Sequence, residues 1–214
     1  RDLHSFPTRR SSDLEPAGLD LSDGYLLHVG GNQWYKNRLG VIELYNALQN
    51  QSSLKLPLLL IGTEPSEELK KAYATSPFKE QIYYLTNIED KFVQLAYAGA
   101  SVFLFPSLAE GFGWPIAEAM ASGCPVITTN ETPMTEVAGS SAFFIKRKPV
   151  NKEQVEEWAA EGAKVIQQVL QLTSTERREV IKKGFININR FASKDTLDRI
   201  EKIYRDVHFN KIDQ

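Results

Sequence analysis

Short apolar runs alternate with amphipathic stretches from Tyr25 to Ile145, and this alternation constrains the fold more than any other feature. Apolar residues at helical spacing fill most of the segments between the runs. Because the runs are apolar on both faces, we expect a parallel sheet that helices cover on both sides. The sequence therefore predicts an α/β protein, a Rossmann-like three-layer domain with a six-stranded parallel sheet. The predicted strands are residues 25–30, 56–62, 81–86, 101–106, 125–129 and 141–145.

Helix boundary signals support the same order of elements. Ser66 stands where an N-cap is expected, directly before a charged amphipathic stretch. Pro115 is predicted to open a short helix that ends at Ser122, since proline favours the first helical position and Gly123 follows the end. The other predicted helices are residues 37–50, 89–98 and 134–138, and then a helical C-terminal extension at 151–171, 174–190 and 193–208.

Length and composition exclude several classes of protein. The 214 residues suit one domain with short tails, and the formal net charge of -2 argues against a nucleic-acid binder, which is more often basic. Cys124 is the only cysteine, so a buried structural thiol is expected and a multi-cysteine metal site is excluded. The longest apolar runs are far shorter than the roughly 20 residues of a membrane span. We therefore expect a cytoplasmic protein.

The first fourteen residues, RDLHSFPTRRSSDL, differ from the rest of the chain. They are polar and show no periodic apolar pattern, and the run HSFPTRRSSDL resembles the translation of a common sequencing adapter. Our hypothesis is that residues 1–14 form a non-native, disordered tail and that residues 15–23 form a linker. The domain itself is then predicted to span residues 24–208, with a short tail at 209–214.

Two glutamates flank a glycine-containing loop after the fourth predicted strand. Glu110 lies in that loop, and Glu118 falls in the first turn of the helix that is predicted to begin at Pro115. Gly111 and Gly113 carry no side chain that would keep a ligand from the backbone. The free N–H groups and the positive dipole end of the helix favour a phosphate or sugar oxygen there. The structural alternative is that Glu118 only pairs with the helix dipole and that the glycines only form a turn.

The stretch FPSLAEGFGWPIAEAMASGCPVITT, residues 105–129, resembles the signature of the family-four glycosyltransferases, which share a glutamate-x7-glutamate motif. The resemblance extends over residues 24–208 and implies the C-terminal, donor-binding half of a GT-B fold. It implies that Glu118 binds the ribose hydroxyls and that Glu110 contacts the donor sugar. It also implies that sugar and phosphate oxygens bind the backbone N–H groups of Gly111, Phe112, Gly113 and Trp114.

A second candidate site follows the first predicted strand, in the run VGGNQWYKNR of residues 29–38. The resemblance implies a lysine and an arginine in this loop, which neutralise the diphosphate as the sugar leaves. Lys36 matches the lysine, but Gly31 occupies the position of the arginine. Arg38 and Asn32 are the candidates that partly replace the arginine. A solvated Lys36 without a role in the site is the structural alternative.

The residues after the third predicted strand form a third candidate site. The resemblance implies that Ile88 contacts the nucleobase, whereas Thr86 and Asn87 are equally suited to cap the next helix. His28 lies within a strand and is expected to be a core or face residue. A dinucleotide site of the G-x-G-x-x-G type is disfavoured, because Ile116 stands at the third glycine position.

The resemblance thus implies the donor domain of a retaining glycosyltransferase. Its substrate would be a nucleoside diphosphate sugar, and it would need no cofactor and no metal ion, since no Asp-x-Asp metal motif occurs. The expected partner is an N-terminal acceptor domain, and any peripheral membrane contact would pass through that domain. We expect the 214-residue chain to bind nucleotide weakly and to transfer no sugar alone. The alternative is a nucleotide-sugar-binding module without chemistry.

Overall fold

The computed structural model of the chain describes residues 21–191. These residues contain a six-stranded sheet, parallel throughout, with the strand order β3-β2-β1-β4-β5-β6. The fold class and the number of strands are as predicted, although every strand is shorter than its prediction. The strands are β1 (Leu26–Val29), β2 (Leu58–Gly62), β3 (Ile82–Thr86), β4 (Val102–Phe105), β5 (Val126–Thr129) and β6 (Phe143–Ile145).

Helices connect these strands and follow the last one. Seven α-helices occur in the described part of the chain: α1 (Arg38–Gln51), α2 (Glu67–Thr75), α3 (Asp90–Gly99), α4 (Trp114–Ala121), α5 (Met134–Ala138), α6 (Val155–Leu170) and α7 (Ser174–Ile188). The predicted helix at 151–171 begins with a separate 3-10 turn at Lys152–Gln154, and α7 confirms the helix predicted at 174–190. The helix predicted at 193–208 lies outside the described residues.

The sheet is buried on both faces, as its apolar strands predict. Successive residues of β1 point to opposite sides, so Leu26 packs into one core and Leu27 into the other, and both are fully buried. Helices α1, α2 and α6 cover the first core, and α3, α4 and α5 cover the second, with α7 packed against α4. Truncation of a buried aromatic such as Phe103 to alanine is therefore expected to destabilise the fold by about 3–5 kcal/mol.

Side-chain caps fix two of the helix starts. The Ser66 hydroxyl accepts a hydrogen bond from the Leu69 N–H, which confirms the predicted cap of α2. Thr173 and Glu176 form a reciprocal capping box at the start of α7. Each such cap stabilises a helix by about 1 kcal/mol.

Outside the sheet, two further predictions meet the described residues. Cys124 is buried, and burial raises the pKa of its thiol to about 12, which confirms a structural thiol. Leu21 lies in the predicted linker but is buried in the second core. Ordered packing thus begins at least three residues before the predicted domain boundary. The predicted tails at 1–14 and 209–214 lie outside the described residues.

The strand order reverses between β1 and β4, which are neighbours in the sheet although β2 and β3 intervene in sequence. At such a switch point the loops after the two strands diverge and leave a crevice at the carboxyl edge of the sheet. The two loops are residues 30–37 and 106–113. They contain most of the predicted site residues.

Candidate functional site

Hydrogen bonds join the loop after β1 to the loop after β4. Asn37 is the N-cap of α1 and adopts a left-handed conformation with φ 51°. Its amide donates to the Pro106 carbonyl at 2.9 Å, while its carbonyl oxygen accepts from the Gly40 N–H at 3.2 Å. The Leu108 N–H donates to the Tyr35 carbonyl at 2.6 Å. These contacts hold the residue between Tyr35 and Asn37, which is Lys36, beside the loop after β4.

Lys36 and Glu110 form an ion pair at this junction. The Lys36 Nζ lies 2.8 Å from Oε1 and 3.0 Å from Oε2 of Glu110, and the two side chains are only 15% and 7% exposed. The Ser107 Oγ lies 2.6 Å from Glu110 Oε1, within hydrogen-bond distance. The structural alternative of a solvated Lys36 is therefore wrong. The structure brings together two residues that the sequence assigned to separate loops, 74 positions apart.

The N-terminus of α4 presents backbone N–H groups next to this ion pair. Gly113 is the N-cap, with φ 99°, a conformation that side chains other than glycine rarely adopt. A side chain on Gly111 would meet no atom within 4 Å, so this stretch of backbone is open. No described residue accepts a hydrogen bond from the N–H groups of Gly111, Phe112, Gly113 or Trp114. Together with the dipole of α4, these donors form a ready anion site.

Glu118 lies one residue further into α4 than the sequence predicts. The helix begins at Trp114 rather than Pro115, so Glu118 is its fifth residue and lies beyond the first turn. Pairing with the helix dipole therefore explains this glutamate poorly, because the dipole effect falls off within one turn. Instead, the buried Tyr97 hydroxyl donates to Glu118 Oε2 at 3.2 Å. Burial, and secondly the charge of Glu118, raise the pKa of Tyr97 well above its usual range.

Helices α3 and α4 form a groove beside Glu118. We define the α3–α4 groove by its lining residues: Asp90, Val93, Gln94, Tyr97, Glu118, Ala121 and Ser122. Its volume of about 470 Å³ lies within the range of small-molecule sites. Glu118 thus has one carboxylate oxygen held by Tyr97 and a side chain that lines a cavity large enough for a ligand.

Arg38 and Asn32, the candidate replacements for the missing arginine, contact each other. The Arg38 guanidinium donates to Asn32 Oδ1 at 2.7 Å and to the Thr63 carbonyl at 3.0 Å. Arg38 is buried, and burial lowers the pKa of its guanidinium. It lines a separate cavity of about 320 Å³ with Trp34 and Lys148, away from the α3–α4 groove. These contacts place Arg38 between the loops after β1 and β2.

The loop after β3 holds Ile88 against the second core, where it is partly buried. The alternative that Thr86 or Asn87 caps the next helix is wrong, because the N-cap of α3 is Glu89. The Thr86 hydroxyl instead lies 2.9 Å from Glu64 Oε1, and Asn87 adopts a left-handed conformation with φ 56°. Because Asn87 tolerates this conformation better than most residues, it turns the chain so that α3 starts beside the groove.

His28 is a core residue, as predicted. It is fully buried in β1, and its Nδ1 lies 2.9 Å from the Leu104 carbonyl of β4. Burial lowers the pKa of His28 to about 4, and the charges of Arg38 and Lys36 act in the same direction. A neutral ring with a protonated Nδ1 therefore links the two strands at the switch point.

Comparison with known proteins identifies the family. The model of the family "Glycosyl transferases group 1" matches residues 10–187, which is more than half of the chain. The chain belongs to this family. This membership agrees with the GT-B fold and with the glutamate-x7-glutamate motif at Glu110 and Glu118.

Curated relatives of this glycosyltransferase family support the assignment. The O-antigen chain mannosyltransferase B of Escherichia coli is 35% identical over 122 residues, which cover 56% of this chain and 32% of that protein. The O-antigen chain mannosyltransferase RfbU of Salmonella typhimurium is 26% identical over 170 residues, which cover 79% of this chain and 46% of that protein. The matches thus span about a third of one relative and just under a half of the other.

A solved structure shows the same fold. The pneumococcal O-GlcNAc transferase GtfA, in complex with UDP and GlcNAc, superposes with a TM-score of 0.69 at 18% identity. The match covers 88% of this chain and 37% of that one.

Among residues 21–191, every helix is too short or too polar to span a membrane.

Sequence reasoning missed three residues that organise this site. Asn37 and Ser107 position Lys36 and Glu110, and Tyr97 positions Glu118. Asn37 directly precedes an amphipathic helix, so its capping role had a local signal. Ser107 and Tyr97 act through contacts between loops or helices that no local pattern reports.

Proposed function

We propose that this chain is the donor-binding half of a retaining glycosyltransferase, which transfers a sugar from a nucleoside diphosphate sugar to an acceptor. The observation that carries the proposal is the convergence of three elements at one sheet edge. These are the Lys36–Glu110 ion pair, the N–H groups of residues 111–114, which have no acceptor in the described part of the chain, and the Glu118 carboxylate in the α3–α4 groove. Charge, backbone donors and a carboxylate are what a diphosphate, a sugar and a ribose require.

Each group has a role in this scheme. Glu118 accepts hydrogen bonds from two neighbouring ribose hydroxyls, and the Tyr97 hydroxyl keeps its carboxylate oriented. The N–H groups at the start of α4 bind phosphate and sugar oxygens. Glu110 accepts from a hydroxyl of the donor sugar. Lys36 stabilises the negative charge that grows on the diphosphate as the glycosidic bond breaks.

Charge neutralisation by Lys36 and by the helix N-terminus leaves no step that calls for a metal ion or another cofactor. The transition state carries oxocarbenium character on the sugar, and transfer with retention follows from the family resemblance. The UDP and GlcNAc of the pneumococcal neighbour are consistent with a nucleotide-sugar donor. Because the named relatives are mannosyltransferases, mannose is the first sugar to test.

The acceptor site belongs to a second domain in this proposal. The chain corresponds to less than half of each curated relative, which leaves room for an N-terminal acceptor domain. We also propose that the full enzyme is cytoplasmic and that its acceptor domain provides any peripheral membrane contact. The 214-residue chain alone should bind nucleotide without transferring sugar. Robust turnover by the purified chain would refute this part of the proposal.

Calorimetry with UDP, GDP and ADP, and with their sugar conjugates, tests the donor site. Glu118→Ala should weaken binding by about 1–3 kcal/mol, because it removes hydrogen bonds to the ribose. Tyr97→Phe should weaken binding less but in the same direction, since it only releases one carboxylate oxygen. Glu179→Ala, an exposed position on α7, is the matched control. Equal affinity of Glu118→Ala and the parent chain would show that Glu118 is not a ligand contact.

A non-catalytic binding module is the second candidate. It would need the groove and the helix N-terminus, but it would have no use for a buried lysine paired with Glu110 at the sugar position. Sugar transfer by the full-length protein distinguishes the two candidates. A transferase should lose most of its turnover in Lys36→Ala, because the cation that neutralises the departing diphosphate is gone. A full-length protein that binds the nucleoside diphosphate sugar but transfers no sugar would favour the binding module.

A further inference from the structure

The α3–α4 groove has two carboxylates, one at each end. Asp90, Val93, Gln94 and Tyr97 share one face of α3, because they are spaced by three, four and seven residues. Tyr97 contacts Glu118 at one end, and Asp90 lies at the other end, at the first residue of α3. Seven residues of helix separate the two ends by about 10 Å, which is comparable with the length of a nucleoside.

The Asp90 carboxylate is available to a ligand. Its neighbour Lys91 pairs with Glu89 at 2.7 Å, and no described residue donates a hydrogen bond to Asp90 or forms an ion pair with it. The side chain is exposed to solvent and lines the groove. Between the two carboxylates, Val93 offers an apolar surface against which a flat ring can pack.

We infer that Asp90 selects guanine, so that the donor is a guanosine diphosphate sugar. This inference rests on the proposed function, which places the ribose at Glu118 and leaves the far end of the groove to the base. Guanine presents two adjacent donors, N1–H and N2–H, on one edge. An ionised carboxylate has two acceptor oxygens and no donor, so it matches that edge with two parallel hydrogen bonds.

Other bases fit Asp90 worse for stated chemical reasons. Uracil has a single N3–H between two carbonyl oxygens, and those oxygens repel a carboxylate. Adenine places the N1 lone pair beside its amino donor, so one carboxylate oxygen faces another acceptor. Hypoxanthine keeps the N1–H of guanine but lacks the amino group, so it makes one of the two bonds. Gln94 lies one turn after Asp90 on the same face, and its amide group can donate to guanine O6.

Calorimetry on the 214-residue chain with four nucleoside diphosphates tests the inference. GDP should bind about tenfold more tightly than UDP or ADP, with inosine diphosphate between them, since each bond to the base edge contributes to discrimination. Equal affinity for all four, or a preference for UDP or ADP, would overturn the role of Asp90 while leaving the proposed function intact. Absence of binding by any nucleoside diphosphate would overturn both.

The variant Asp90→Asn provides a gain-of-binding test. Its side-chain amide offers one acceptor and one donor, which no longer match guanine but match xanthine, where a carbonyl replaces the amino group. The variant should lose about tenfold in affinity for GDP and should bind xanthosine diphosphate more tightly than the parent chain does. Such a gain cannot arise from a folding defect. Glu89→Gln, adjacent and outside the groove, should leave the order of the four affinities unchanged. If Asp90→Asn keeps the GDP preference, guanine is not selected by Asp90.

Discussion

A double-mutant cycle on Lys36 and Glu110 would measure the energetics at the centre of the site. The Lys36 Nζ lies 2.8 Å and 3.0 Å from the two carboxylate oxygens, and both side chains are largely buried. At an effective dielectric constant near 20, the charges attract by about 5 kcal/mol. Loss of hydration by both ions offsets most of this attraction. The pair therefore stabilises the fold little, but removal of one partner leaves a poorly solvated charge.

The structure sets the expected magnitudes. Lys36→Met leaves the Glu110 carboxylate 7% exposed with the Ser107 hydroxyl beside it, so we expect a loss of about 3 kcal/mol in the free energy of unfolding. Glu110→Gln leaves an ammonium group on a flexible stem that can extend into water, so we expect about 2 kcal/mol. The double variant leaves no unpaired charge. It should lose only about 1 kcal/mol in total, which corresponds to a coupling energy of about 4 kcal/mol.

Urea denaturation at pH 7, with equal m-values for the four proteins, provides the measurement. The exposed pair Lys70 and Glu67 on α2 is the matched control, and its two substitutions should be additive because water already solvates both charges. Additive losses at Lys36 and Glu110, within about 0.5 kcal/mol, would refute the reasoning. The two side chains would then not share a charge interaction in solution.

Protonation of His28 should destabilise the fold in mild acid. Its pKa of about 4 in the folded chain lies below the unfolded value of about 6.5, so its contribution is complete above pH 6.5 and is lost as the pH falls towards 4. The total contribution of the neutral ring to the free energy of unfolding is about 3 kcal/mol. Urea midpoints between pH 4.5 and 7.5 should therefore vary less in His28→Gln than in the parent chain. Parallel curves for the two proteins would contradict this cause. At Gly31, arginine should improve nucleoside diphosphate binding by roughly fivefold, or about 1 kcal/mol, because an added cation faces the diphosphate. The side chain has only the flexible end of Gln33 to displace, and calorimetry with Gly31→Gln as the uncharged control would show whether charge is responsible.

The order of strands and helices could be predicted because each element has its own local pattern. β2, for example, is a run of four apolar residues followed by Gly62, and Ser66 marks the next helix. The sequence predicts the start of α4 one residue late, because proline favours the first helical position whereas Trp114 precedes it in the helix. That single residue moved Glu118 out of the first turn and changed the physical interpretation of its carboxylate.

Contacts between distant segments could not be predicted in the same way. Lys36 and Glu110 meet because β1 and β4 are adjacent in the sheet, and no periodicity within either segment encodes that adjacency. The same holds for Tyr97 and Glu118, which lie on neighbouring helices. The sequence could therefore identify the types of residue in the site, while their pairing depended on strand order and on the way α3 packs against α4.

The energetics of the ion pair bear on its purpose. Two apolar residues of similar size in place of Lys36 and Glu110 would serve the fold about as well, because attraction and desolvation nearly cancel in such pairs. Stability alone thus gives no reason for this pair, and neither does it explain the N–H groups of residues 111–114 beside it, for which residues 21–191 offer no acceptor. An ammonium group has three donors, and its contacts with Glu110 use at most two of them. In the proposed function the third reaches the diphosphate, so one lysine orients the sugar contact and neutralises the leaving group together.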